Sequence, residues 1–443
     1  MPKRTIVLGV IFLALAIFPA ARCVAAANPD DAVVDHFFSA VRDGNFSAAT
    51  QHFNALMKEL SPPGLKGSWD QLYAQEGPLL GWKIFEHRKY ANGNDEISVK
   101  LRFHRAAADS IIVVAPSTGE ITSVLFKLPA SPPPYADRTK FHTDEVTIGT
   151  FKLSGTLTIP NGKGPFPAVV LIHGSGPNDR DETVGANHPF ADIAEGLASR
   201  GIVALRYDKR TYAYQTFDPP VTTVDAEVIE DGVAAVQLLR ARHEVAQDRI
   251  FIIGHSLGAM LAPEIAKKAS PVAGIVMLAP SGRKLPQLIV EQTRFLGQAS
   301  PGQLVEIERQ ADELSAHKMP PAQNFFGEPA SYYYDLDARD EVAIARSLDL
   351  PILILHGSRD FHAVDEDIRD WQAGLKGDAK VQVKTLSGLN HLLIAGAGKP
   401  TPAEYSAPGH VDAAVIGTIA SFIANVGATT AAGAAPAHKA ASN

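Results

Sequence analysis

The sequence has 443 residues and one cysteine, Cys23, close to its start. That scarcity excludes a disulfide within the chain, and because Cys23 lies in a segment expected to be removed, no thiol would remain for cysteine catalysis or a thiolate metal site. Long apolar runs are also missing beyond the first residues, so no later segment reads as a membrane span. Charge of one sign is not concentrated. The formal net charge is -7 and charged residues make up 20% of the chain without forming blocks, which argues against a nucleic-acid partner. What remains is the balance of a globular protein, 46% hydrophobic and long enough for two domains.

Lys3 and Arg4 precede an apolar stretch from Ile6 to Phe18, followed by small residues around Val24 to Ala27 and the polar Asn28-Pro29-Asp30. This order is that of a secretory signal peptide, expected to span 1–27 with cleavage near Ala26 or Ala27. Periplasmic or secreted localisation follows as an expectation, and removal of the segment would take Cys23 with it. The mature protein then has no stable membrane span.

From 28 to 127 the pattern runs from helices to strands. Val33, Val34, Phe37, Phe38 and Val41 form one helical stripe, and Phe46, Ala49, Phe53 and Leu56 form a second. Ile97, Val99, Leu101 and Phe103 then alternate with polar residues, as do Thr122, Val124 and Phe126, with the β-branched run 111–114 between them. Helices followed by an antiparallel sheet make a small α+β domain. Residues 128–138, with three consecutive prolines at 132–134, read as a stiff linker.

From 139 to 426 short runs rich in Val, Ile and Leu alternate with amphipathic segments. The runs 168–172, 202–205, 250–253, 275–278 and 352–355 suit strands covered on both faces. A doubly wound α/β domain is the natural reading. The interval 283–348 is too long for a simple crossover and is expected to form a helical lid over the carboxyl edge of the sheet. Its aromatic cluster, Phe325, Phe326, Tyr332, Tyr333 and Tyr334, points to apolar or aromatic acyl groups. After 426 the Ala-rich sequence has little apolar bulk, and 427–443 is expected to be a disordered tail.

Gly254-His255-Ser256-Leu257-Gly258 follows the strand 250–253 and precedes a helix-compatible segment. In a G-x-S-x-G turn the serine is pushed into the open while glycines avoid backbone collisions. Ser256 is therefore the candidate nucleophile. A serine hydroxyl needs a base, and the base needs a partner that fixes its tautomer. Asp360 follows the strand that ends at His356, and His391 follows the strand 381–386, so both lie beyond carboxyl ends of strands. His391 is the expected base, with His362 and His410 as alternatives among the 15 histidines. Asp360 is the expected orienting acid, and Asp365 is its competitor because it starts the next helix and would serve equally as a cap. His255 is expected to face away from the serine, and His173 and His356 to hold loops. The oxyanion donors are expected to be the backbone N–H of Leu257 and that of Ser175, with Gly176 next. The Gly-rich turn at 174–176 lacks both P-loop and dinucleotide spacing. The chemistry calls for no metal or organic cofactor.

The elbow at Ser256, together with 174–182 (GSGPNDRDE), 205–210 (LRYDKR) and 388–391 (GLNH), resembles a group of exported bacterial α/β hydrolases related to dienelactone hydrolases and acylaminoacyl peptidases. Their N-terminal part is often a cone-like domain similar to nuclear transport factor. The resemblance implies an α/β-hydrolase fold with a lid, preceded by that small α+β domain, and a serine hydrolase of the carboxylesterase kind. Its substrate would be a small acyl compound or a short peptide. A serine peptidase and a non-catalytic binding protein with a hydrolase-like frame are the alternatives. The runs Asp179-Arg180-Asp181 and Asp208-Lys209-Arg210 match the group, and a charge network holding the oxyanion loop is their expected role, ahead of direct substrate binding.

Overall fold

A computed structural model describes residues 28–60, 66, 69–70, 72–74, 76–89, 93–104, 107–116, 118–127, 131–214, 223–297, 299–405 and 407–433. The expected signal peptide and the last residues of the expected tail lie outside them. The chain divides into two compact units, with the division between Lys127 and Leu128. No helix among the described residues is long and apolar enough to cross a membrane.

In the first unit a helix spans Pro29–Arg42, opened by the Asn28 side chain, which accepts from Asp30 N–H, and by a proline in the first turn. Its buried side is Val34, Phe37, Phe38 and Val41. The second expected stripe is not one helix. It is broken into Phe46–Ala49 and Ala55–Leu60, because Asn45 and Asn54 each cap a new turn by accepting from Ala48 N–H and Met57 N–H. Four strands follow, β1 (Leu79–Lys89), β2 (Asp95–Phe103), β3 (Ala107–Val114) and β4 (Ile121–Lys127), in an antiparallel sheet of order β1-β2-β3-β4. Ile97, Val99, Leu101 and Phe103 of β2 are buried, as their alternation requires. The mixed charges along β1 hid that strand from pattern reading.

The second unit is built on eight strands. These are β5 (Phe141–Ile148), β6 (Leu153–Pro160), β7 (Phe166–Ile172), β8 (Val203–Tyr207), β9 (Val245–His255) and β10 (Gly274–Leu278), then, after a small hairpin of β11 (Asn324–Phe325) and β12 (Glu328–Pro329), β13 (Ile352–Gly357) and β14 (Val381–Leu386). The sheet order is β14-β13-β10-β9-β7-β8-β6-β5. All neighbours from β8 to β14 are parallel, and β5 and β6 are antiparallel. Alternate residues of one strand enter different cores. Val169 and Leu171 join Phe251 and Ile253 under the helices Pro189–Ala198 and Ala413–Gly433, whereas Ala168, Val170 and Ile172 join Ile250 and Ile252 under Glu230–Ala241 and Leu257–Lys268. Burial on both faces is why these strands read as unbroken apolar runs.

Along the described part of the expected stiff linker, Tyr135 donates its hydroxyl to Val411 O at 2.7 Å. One expectation changes here. The tail does not begin at 427. The last helix continues to Gly433, since a helix already anchored by Val415, Ile416, Ile419, Phe422 and Ile423 propagates readily into an alanine-rich run.

Candidate active site

The strand β9 ends at His255 and the next residue turns sharply into the helix Leu257–Lys268, leaving Ser256 at φ 53° and ψ -119°. A non-glycine residue rarely holds a positive φ, and the surrounding packing must enforce it. Neighbouring glycines make the turn possible. A Cβ at Gly258 would lie 2.5 Å from His173 O and nearer still to Ile172 O, and a Cβ at Gly254 would overlap the Gly258 carbonyl. The bend aims Ser256 at the carboxyl edge of the sheet, over the N-terminal end of a twelve-residue helix where partial positive charge gathers.

Asp360 and His391 arrive at the same edge from the loops after β13 and β14. His391 Nδ1 lies 2.8 Å from Asp360 Oδ2. The other carboxylate oxygen of Asp360 accepts from His362 N–H at 2.8 Å and Ala363 N–H at 3.0 Å. The carboxyl group is thus fixed on both sides. Burial raises its pKa to about 6, against the pull of His362 and the two backbone donors. Burial also pushes His391 well below the ordinary imidazole value, and the neighbouring His255 adds to the effect. The imidazole is therefore neutral at neutral pH, as a base must be.

Ser256 and His391 line the same cavity of about 250 Å3, with Ser175, Gln292, Leu296, Phe361, His362 and Tyr405 among its walls. A smaller apolar recess beside it is formed by Leu257, Met260, Leu285 and Leu288. Among the described residues no hydrogen bond joins Ser256 Oγ to His391. Such bonds are often long before substrate binds. Leu257 and Ser175 also line the recess, and neither backbone N–H has a protein acceptor among the described residues.

The alternatives fall elsewhere. His410 pairs with the buried Asp192 at 3.1 Å and with Ser131, away from both cavities. Asp365 is exposed at the start of the helix Asp365–Gly374 and lies 3.7 Å from His356. His362 is in the site but stacks on the His391 ring with centroids 4.3 Å apart, and burial, with His391 nearby, lowers it to about 2. It packs as a neutral ring. His356 donates from Nε2 to Ala363 O at 2.7 Å and so holds the Asp360 loop.

His255 does not face away from the serine's surroundings. It lines the larger cavity, donates from Nε2 to His391 O at 3.0 Å, and places Nδ1 2.9 Å from Glu182. Burial disfavours its charge, but Glu182 more than offsets this and raises its pKa. Glu182 in turn accepts from Gly174 N–H at 2.6 Å. A buried ion pair therefore connects the backbone at His391 to that at Gly174. Residue spacing does not single out Glu182, which directly follows the run 179–181 expected to hold the Gly174 loop by a charge network.

That run is part of a network. Arg180 meets Asp208 with two nitrogens, at 3.2 and 3.0 Å, and Glu145 at 2.7 Å, while Arg206 pairs with Asp181. Asn178 Nδ2 donates to Gly174 O, Ser175 O and Gly176 O. These contacts serve the loop rather than the cavity. The lid is helical, with Leu285–Leu296, Pro301–Ser315, Ala330–Asp337 and Glu341–Arg346, but its aromatic cluster does not line the cavities. Phe325, Tyr332 and Tyr333 are buried in the core, where the Tyr332 hydroxyl donates to Glu227 and the Tyr333 hydroxyl donates to Phe325 O. The lid's contribution to the site is Leu285, Leu288, Gln292 and Leu296.

Residues 169–414 match the model of the alpha/beta hydrolase family. The chain is similar to esterase EstD of Thermotoga maritima, with 40% identity over 385 residues, covering 85% of this chain and 91% of that protein. Among solved structures, a Pyrococcus furiosus esterase is 16% identical with a TM-score of 0.44, covering 67% of this chain and 96% of its own. Est1E from Butyrivibrio proteoclasticus is 16% identical with a TM-score of 0.45, covering 65% and 99%. The chain belongs to the α/β hydrolase family.

Proposed function

We propose that this ester-cleaving hydrolase works through Ser256 as nucleophile, His391 as general base and Asp360 as the residue that orients it. His391 Nε2 takes the Ser256 proton as Oγ attacks the ester carbonyl. The N–H groups of Leu257 and Ser175 receive the developing oxyanion, and the imidazolium then protonates the departing alcohol. Water enters by the same proton path in reverse and releases the acid. The carrying observation is the 2.8 Å contact between His391 and Asp360 beside a serine held at positive φ in the same cavity.

The cavity of about 250 Å3 lies below the size range of pockets that take drug-sized ligands. Together with the small apolar recess it favours short acyl chains. Export rests on the order of basic, apolar and small residues in 1–27, and cell fractionation of the full-length protein tests it. The motifs at 174–182 and 388–391 support assignment to the group related to dienelactone hydrolases and acylaminoacyl peptidases. The helix-then-sheet order of the first unit supports a cone-like, nuclear-transport-factor-like domain.

Turnover of p-nitrophenyl acetate and butyrate by wild type and Ser256→Ala tests the mechanism. The variant is expected to lose about a factor of 10⁶ in kcat. Wild-type turnover by Ser256→Ala would overturn the assignment.

A further inference from the structure

The oxyanion loop has a support that the catalytic scheme above does not use. Lys209, just after β8, is buried with a side chain 2% exposed. Its ammonium has three N–H donors, and three acceptors surround it. Nζ lies 3.0 Å from Gly174 O, 3.0 Å from Gly176 O and 2.6 Å from Glu227 Oε1. Asn178 Nδ2 reaches the same two carbonyls at 3.2 and 3.3 Å, and Ser175 O at 3.0 Å. The backbone adds a further tie from Lys209 N–H to Asn178 O at 3.0 Å.

We propose that Lys209, together with Asn178, is a positioning residue for the oxyanion hole, holding the Gly174–Ser175 peptide so that Ser175 N–H points at the reacting carbonyl. The reason is planarity. Gly174 C=O and Ser175 N–H belong to one trans peptide group and point in opposite directions. A cation that grips the carbonyl from behind therefore fixes where the N–H aims. Without it a glycine-flanked peptide has freedom to rotate, and a donor that must reorganise during reaction stabilises the transition state less.

Glu227 balances the buried charge and is itself gripped by Tyr332 of the lid helix Ala330–Asp337. The lid thus reaches the hole through two side chains, without touching substrate. This gives Asp208-Lys209-Arg210 a division of labour. Asp208 holds Arg180, Lys209 holds the oxyanion peptide, and Arg210 pairs with Asp231 at 2.8 Å.

The proposal rests on Ser256 chemistry, so Ser256→Ala is run alongside. Lys209→Met alone would strand the Glu227 carboxylate in the interior, and the informative variant is Lys209→Met with Glu227→Gln. Its kcat on p-nitrophenyl butyrate is expected to fall about 10- to 100-fold with KM within about twofold. Binding of an alkyl boronic acid, which forms a tetrahedral adduct on the serine, should weaken by a similar factor. A packing role alone would shift the melting temperature and leave the kcat-to-KM split and the boronate affinity in place. Asn178→Ala, at a partly exposed position, is expected to lower kcat about 3- to 10-fold with the same signature, and decides the matter if the double variant does not fold. Wild-type kcat and boronate affinity in either folded variant, with Ser256→Ala inactive, overturns the role of Lys209 and Asn178. Activity in Ser256→Ala overturns the catalytic reading itself.

Discussion

Replacing Asp360 by Asn should separate function from stability, because the two depend on that carboxyl in opposite directions. Oδ1 accepts two backbone N–H groups and Oδ2 faces His391 Nδ1. In Asp360→Asn the amide oxygen must take the place of Oδ1, since an NH2 there would meet two donors. The amide NH2 is then aimed at His391 Nδ1, which has to become an acceptor. The imidazole proton moves to Nε2, and the ring can no longer take a proton from Ser256. Loss of the working tautomer in a comparable triad costs about 10⁴ in kcat, equivalent to about 5.5 kcal/mol.

Stability should move the other way. The Asp360 carboxyl is fully buried, and its pKa of about 6 in the fold compares with an ordinary 3.8. A carboxyl with a raised folded pKa binds its proton more tightly when native, so stability from this group is lost as pH rises between about 4 and 6. The loss amounts to about 3 kcal/mol above that window. Asn carries no charge and avoids it. Thermal melts of wild type and Asp360→Asn should nearly coincide below about pH 4 and separate as pH rises, with the variant melting a few degrees higher at about pH 8. Turnover of p-nitrophenyl butyrate at the same pH should be down about ten-thousandfold. Activity within about tenfold of wild type, or a variant that melts well below it at pH 8, would refute the reasoning.

Other outcomes follow from the same geometry. The acid limb of kcat/KM should lie at or below about pH 6, where the His391–Asp360 dyad takes its first proton; a limb at pH 7 or above in stopped-flow assays would contradict the burial of both groups. Gly258→Ala places a methyl against Ile172 O and His173 O and should cost about 3 kcal/mol or more in denaturant unfolding; an unchanged midpoint argues against the elbow. His410→Ala should lower the melting temperature, because Asp192, buried and already raised to about 6, loses its partner, while kcat stays at the wild-type value. Leu288→Ala should widen the apolar recess and shift the p-nitrophenyl ester preference toward longer acyl chains; an unchanged chain-length profile places the acyl group elsewhere.

The parts legible in the sequence are those where one local rule decides the outcome. The strands 168–172 and 250–253 announced themselves because burial on both faces leaves no room for polar residues. The elbow was legible because only glycine fits beside Ile172 O and the Gly258 carbonyl. Asp360 and His391 could be picked out because a parallel sheet delivers the ends of β13 and β14 to the same edge. What stayed hidden depends on long-range meeting of charges. Glu182 and His255 are 73 positions apart, and nothing local distinguishes a buried ion pair from two solvated residues. The run Asp208-Lys209-Arg210 is expected to hold the oxyanion loop, but nothing local says which of its three side chains grips the Gly174 carbonyl. The lid aromatics misled for the opposite reason: an aromatic cluster packs a lid onto its own core as readily as it lines a cleft, and Tyr332 is held by Glu227 instead.

The central claim concerns which hydroxyl becomes covalently acylated. Intact-protein and peptide mass spectrometry after reaction with a fluorophosphonate should find one adduct per chain, on the peptide containing Ser256, formed far more slowly in His391→Ala. An adduct on a different residue, or equally fast labelling when His391 is removed, would contradict the account.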